Sequence, residues 1–176
     1  LFMVNIKPNA NFYSLGGTSV HEGRAVEYQV YRKDWLEYPA NFILSDFPMH
    51  LDIETTSRCN LRCTFCDKLP SLNKGQMGDM QFSLYKKIIA EGVKHRLWGV
   101  KLSYRGEPLL HKDIVKMVAY AKENGILDVY FNTNGMLLDA ALCEQLIDAG
   151  LDRISVSVEG TDAAVFENQR IGASFY

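Results

Sequence analysis

Leu51-Asp52-Ile53-Glu54-Thr55-Thr56-Ser57-Arg58-Cys59-Asn60-Leu61-Arg62-Cys63-Thr64-Phe65-Cys66 runs from a strand straight into three cysteines. Leu51 to Thr55 read as the strand, and the loop behind it has C-x3-C-x2-C spacing. Three thiolates on one short loop can hold three irons of a [4Fe–4S] cluster, where electron-transfer clusters of this kind use four cysteines. The fourth iron then has no protein ligand from the loop. An open coordination position separates a catalytic metal site from a closed structural one. The spacing therefore points to an iron–sulfur centre that binds a substrate or cosubstrate directly.

Outward from this stretch, strands alternate with amphipathic helices. Ser83 caps a helix carrying Leu84, Ile88 and Val93. Gly99 to Tyr104 read as a second strand. His111 to Asn124 read as a helix with Ile114, Val115, Val118 and Ala121 on one face, stopped by Gly125. Asp128 to Asn132 form a third strand. Asp139 caps a helix with Leu142, Leu146 and Ile147 inward, stopped by Gly150, and Arg153 to Val158 form a fourth strand. This alternation predicts an α/β fold built on a parallel sheet.

Residues 1–47 read as an N-terminal extension and 48–176 as the core domain. The extension is rich in aromatics, among them Phe2, Phe12, Tyr13, Tyr28, Tyr31, Trp35 and Tyr38. Gly16-Gly17 signal a turn, and Lys33 to Tyr38 a short helix interrupted by Pro39. Such a segment either contacts a substrate or partner, or covers the side of the main domain with buried rings.

Other chemistries for the cysteines bring their own requirements. A structural zinc site takes four ligands. Cys143 lies far along the chain on a helix, where it reads as a small buried hydrophobe. The histidines are scattered, and of them His50 precedes the loop by one strand. A redox pair of Cys63 and Cys66 leaves Cys59 without a role. A chain with only 4 cysteines in 176 residues is not a disulfide framework.

The net charge of −2, with Lys and Arg dispersed, argues against a general nucleic-acid surface. No apolar run is long enough to span a bilayer. The N-terminus shows no signal-peptide pattern. Reduced thiols fit the cytoplasm. Leu1 in place of a methionine, and an unfinished pattern at Tyr176, suggest a piece of a longer protein. Ending a parallel sheet at the fourth strand leaves an apolar edge, so the 176 residues alone are expected to aggregate and turn over poorly.

The cysteine loop resembles the signature of the radical S-adenosylmethionine (radical SAM) enzymes, with Phe65 as the aromatic residue before the last cysteine. The resemblance covers roughly residues 48 to 170. It implies a (β/α)6 partial barrel, of which this chain supplies about four units. It implies a [4Fe–4S] cluster on Cys59, Cys63 and Cys66, whose fourth iron is chelated by the amino and carboxylate groups of SAM. The reduced cluster then cleaves SAM to a 5′-deoxyadenosyl radical that abstracts hydrogen from a substrate.

In α/β barrels, chemistry collects in loops at the C-terminal ends of the strands. The remaining motifs all fall there. Arg105-Gly106-Glu107-Pro108 resembles the family's Gly-Gly-Glu-Pro turn, which holds the SAM amino group, with Arg105 in place of the first glycine. Taken alone it is also a turn ahead of a helix. Thr133-Asn134-Gly135 resembles the family's Thr-Asn-Gly, and Asn-Gly alone is a tight turn. Ser155 and Ser157 alternate with Ile154, Val156 and Val158. They either meet the SAM carboxylate or ribose, or fill a barrel layer as small residues. Glu159 stands where the family often has Asp. By resemblance Gly106, Glu107, Asn134, Ser155 and Ser157 place SAM, and Phe65 lies near the adenine. The lead Phe47 to Ile53 resembles members with a downstream SPASM domain, which implies a peptide or small metabolite as substrate. An electron donor such as flavodoxin or ferredoxin is implied. The alternative is a non-catalytic iron–sulfur or zinc module for electron transfer or structure.

Overall fold

The computed structural model describes residues 26–66 and 77–175. The expected Gly16-Gly17 turn and the first aromatics lie outside them. Helix α1 (Val26–Ala40) is followed by β1 (His50–Asp52), α2 (Phe82–Lys94), β2 (Gly99–Lys101) and a 3-10 turn at Pro108–Leu110. Then come α3 (Ile114–Glu123), β3 (Asp128–Thr133), α4 (Ala140–Asp148), β4 (Arg153–Val156) and α5 (Ala163–Gln169). The four strands pair in the order β1-β2-β3-β4, and every pairing is parallel. This is the parallel α/β sheet expected from the alternation.

The ladder bonds stop early, so β1, β2 and β4 are shorter than their apolar patterns. The chain runs on extended, with Ile53 donating to Lys101 O at 2.8 Å and Leu102 to Tyr130 O at 2.8 Å. One face of the sheet carries Ile53, Val100, Leu102, Val129 and Phe131, all buried. Tyr85 and Ile89 of α2, Met117, Val118 and Ala121 of α3 and Leu146 of α4 pack against it. Side chains alternate across a strand. The other face therefore holds Asp52, Lys101, Tyr130, Asn132, Arg153 and Ser155, and it is polar.

Three expectations for the helices change. Gln81, not Ser83, is the residue before α2. The inward stripe of α2 is Tyr85, Ile89 and Gly92, while Leu84 and Val93 are exposed. The Tyr85 ring sets this phase, because its hydroxyl donates to Met117 O of α3 at 2.9 Å. In α4, Ile147 is 71% exposed beside the buried Leu146, one residue further round the helix. Cys143 is half-buried. Asp139 caps α4 as expected, accepting from Leu142 N at 2.7 Å.

Helix α1 is far longer than the short helix expected. Pro39 sits in its last turn, where the missing N–H and the ring clash end a helix rather than break it. Tyr28 and Tyr31 are buried, and the Tyr31 hydroxyl lies 3.2 Å from His50 Nδ1. Trp35 meets the same imidazole edge-on, with ring centroids 5.0 Å apart. Part of the extension thus covers the N-terminal ends of the strands. Among the described residues no helix is long and apolar enough to cross a membrane.

Candidate functional site

The cysteine loop leaves the C-terminal end of β1. Its entry is fixed by an isolated bridge between Thr56 and Asp79 and by backbone bonds from Ser57 N to Gly78 O and Met80 N to Thr55 O, both 2.8 Å. Its far side is held by the end of α5, where Thr64 N donates to Gln169 O and Arg62 N to Ile171 O. Leu61 is buried between the first two cysteines and anchors the loop.

Cys59, Cys63 and Cys66 are all half-buried free thiols. Burial pushes the Cys63 thiol up; the nearby Arg170 cation pulls it down, and Cys59 and Cys66 raise it again. The Cys63 sulfur therefore feels the other two. Three thiols on one loop are the donor set that an iron–sulfur cluster takes. Among the described residues no three Cys, His, Asp or Glu side chains surround a point suited to a single metal ion. A four-iron cluster spreads three thiolates over three irons, and Cys59, Cys63 and Cys66 are the donors it would take. His50 is no fourth ligand. It starts β1, at the opposite end of the strands from the loop, and its ring nitrogens face Tyr31 and Asp52.

The turn after β2 presses on the entry of the cysteine loop. A Cβ at Gly106 would overlap the Thr56 carbonyl oxygen, so only glycine allows this approach. Glu107 N then donates to Arg58 O at 2.8 Å. The Glu107 carboxylate is buried and accepts from Thr133 Oγ1 at 2.6 Å, Asn134 N at 2.8 Å and Leu109 N at 3.1 Å. Its charge is thus committed to tying the ends of β2 and β3 together. Asn134, also buried, donates from Nδ2 to Asn60 Oδ1 on the cysteine loop at 2.8 Å and accepts from Met136 N at 3.0 Å.

Ser155 is exposed and Ser157 half-buried at the end of β4. Ser155 is registered beside Asn132, on the polar face. Phe65 is 55% exposed, its ring 5.9 Å from the guanidinium of the buried Arg170, which pairs with Glu159. The structure therefore brings all the sequence-derived site residues to one end of the sheet.

Several residues of this constellation are silent in the sequence. Asn60 bonds Asn134. Glu54 accepts the N–H groups of Arg105 and Gly106 at 3.2 Å each. Arg58 forks onto Asp79, and His111 Nε2 lies 3.0 Å from Met80 O. Glu54, Arg58 and Asn60 stand within the stretch quoted first, but nothing in their spacing announces these partners; Asp79 and His111 lie outside it.

The family model of the Radical SAM superfamily matches residues 53–173. A probable GTP 3′,8-cyclase of Methanococcus maripaludis is 32% identical over 122 residues, covering 69% of this chain and 40% of that protein. The GTP 3′,8-cyclase of Chlorobaculum tepidum is 39% identical over 121 residues, covering 66% and 34%. The chain thus spans about two fifths of the length of the curated relatives it matches. Among solved structures, BtrN in complex with AdoMet and 2-DOIA superposes with a TM-score of 0.58 at 22% identity, over 68% of this chain and 49% of that one. Streptococcus suis SuiB bound to S-adenosylmethionine gives 0.57 at 21%, over 87% and 34%. At such identities these structures bear on the fold alone. The match of the family model across the cysteine loop and strands β2 to β4 gives the identity: the chain belongs to the radical SAM superfamily, whose enzymes use a [4Fe–4S] cluster and S-adenosylmethionine.

Proposed function

We propose that this chain is the core of an enzyme that cleaves SAM reductively and uses the 5′-deoxyadenosyl radical to take hydrogen from a small-molecule or peptide substrate. One observation carries this: the cysteine loop, the Gly106-Glu107 turn and the Asn134 turn are bonded into one unit at the C-terminal end of the sheet. When bound, the cluster supplies the electron and an open iron for the SAM amino and carboxylate groups.

The chain's own residues hold and orient. Cys59, Cys63 and Cys66 bind the cluster. Gly106 lets the turn lie against the loop, where backbone carbonyls can receive the SAM ammonium. Glu107 and Asn134 keep the turn, the third strand and the loop in register. Ser155 and Ser157 offer hydroxyls to the SAM carboxylate or ribose from the polar face, and Phe65 flanks the adenine. A flavodoxin- or ferredoxin-type donor supplies the electrons, and a protein that works through reduced thiols fits the cytoplasm. The curated relatives are named GTP 3′,8-cyclases, so GTP is the first substrate to assay.

The test is EPR of the anaerobically reconstituted, reduced protein with and without SAM. A [4Fe–4S]⁺ signal that changes with SAM and is lost in Cys63→Ala is expected. A cluster indifferent to SAM would replace this function with an electron-transfer module, and stoichiometric zinc would replace it with a structural one.

A further inference from the structure

Arg58 stands between the first strand and the first cysteine, and its side-chain bonds run away from the loop. Nε donates to Asp79 Oδ1 at 2.9 Å and Nη2 to Asp79 Oδ2 at 2.7 Å. Nη2 also donates to the Leu110 carbonyl at 2.7 Å. Thr56 Oγ1 donates to the same Asp79 at 2.6 Å, so three donors hold that carboxylate in place. The backbone of Arg58 adds a second grip, because its carbonyl accepts from Glu107 N at 2.8 Å. One residue thus holds the 106–110 turn at both ends, through Glu107 and through Leu110.

We propose that Arg58 is a positioning residue that sets the spacing between the cysteine loop and the Gly106-Glu107 turn, and so between the cluster's open iron and the SAM amino group. This rests on the function proposed above. The side chains of Arg58 and Asp79 are 42% and 29% exposed. An ion pair this wet contributes little to stability, so its value is geometric. Only a planar fork can place two N–H groups on one carboxylate and still reach a third acceptor. A lysine ammonium offers a point charge without that geometry.

The experiment uses the full protein, reconstituted anaerobically, with Arg58→Met, Arg58→Lys and Asp79→Asn. Iron content and the reduced EPR signal without SAM should match wild type. The SAM concentration that half-perturbs the signal should rise about tenfold in Arg58→Met, and about threefold in the two milder variants, as expected for lost charge-assisted bonds. If Arg58→Met does not hold iron, the other two variants decide. Wild-type SAM response in iron-replete variants overturns the proposal. So does a SAM response that falls only in proportion to iron, because that is a purely structural role. A wild-type cluster that ignores SAM removes the proposed function and this inference together. A responsive wild type with unshifted variants removes this inference alone.

Discussion

Glu107 illustrates what a residue's type tells and what it hides. The sequence marks an acid in a turn ahead of a helix, and by resemblance a charge near SAM. In the fold that acid is 3% exposed, and buried carboxylates need donors. It finds them on Thr133, the last residue of β3, and on Asn134 just after it, 26 and 27 residues away. The cysteines were legible because spacing within one loop carries their chemistry. The Asn60–Asn134 bond was not, because its partners lie 74 residues apart and meet only through strand register. His50 is a second case, one of the scattered histidines that the fold turns into a buried junction. Burial pushes its imidazole below the ordinary value, against the pull of Asp52 and Asp128 and with the Arg153 charge. As pH falls through about 6.5 the unfolded chain takes up this proton first. The unfolded state then binds more protons, so stability rises with pH in this window and is lost as pH falls toward the folded value. Melting temperatures followed from pH 7.5 down to about 5 should drop more steeply in wild type than in His50→Gln. Equal slopes would show that His50 titrates alike in the folded and the unfolded chain.

At the scale of elements, three helices end in the same way. After α3, Ile126 N donates to Ala121 O and Gly125 N to Lys122 O, with Gly125 at φ +87°. After α4, Leu151 N donates to Leu146 O and Gly150 N to Ile147 O, with Gly150 at φ +86°. After α2, Leu97 N donates to Gly92 O and Arg96 N to Val93 O, but the left-handed residue is Arg96, at φ +62°. This paired-bond stop favours glycine, and a side chain there costs about 1 kcal/mol. Arg96→Gly should therefore raise stability by about 1 kcal/mol, or a few degrees in melting temperature. Calorimetry checks the gain, and an unchanged or lower melting point would mean that the arginine side chain offsets its backbone strain. The same comparison explains the legibility of the helices. Glycine announced the ends of α3 and α4, while the end of α2 carries no such mark. The phase of α2 was also hidden, since Leu84 and Tyr85 compete for the core. The ring wins because its hydroxyl has a buried partner on α3.

Across the whole molecule, the two ends of the strands do different work. The N-terminal ends are covered by α1, where Tyr31, Trp35 and His50 form an aromatic junction. The C-terminal ends carry the cysteine loop and the turns that grip it. The sides are unequal as well. Three helices cover one face, and the opposite face is polar. At the β4 edge, Val156 is 49% and Val158 65% exposed, and among the described residues β4 pairs with β3 alone. Parallel strands in α/β folds are ordinarily covered on both faces, and an unpaired apolar edge templates association. The 176 residues tested by themselves should therefore self-associate at micromolar concentration. Light scattering after size exclusion should show mass rising with concentration. A lysine on the exposed apolar positions, Val156→Lys with Val158→Lys, should shift the population toward monomer, since edge charges block strand addition. Both valines lie beyond the packed core, so the melting temperature should move little. A chain that stays monomeric without these lysines would mean that the β4 edge is already protected. Association that the lysines leave unchanged would move the sticky surface elsewhere, with the exposed Phe42 and Leu44 after α1 as the next positions to alter.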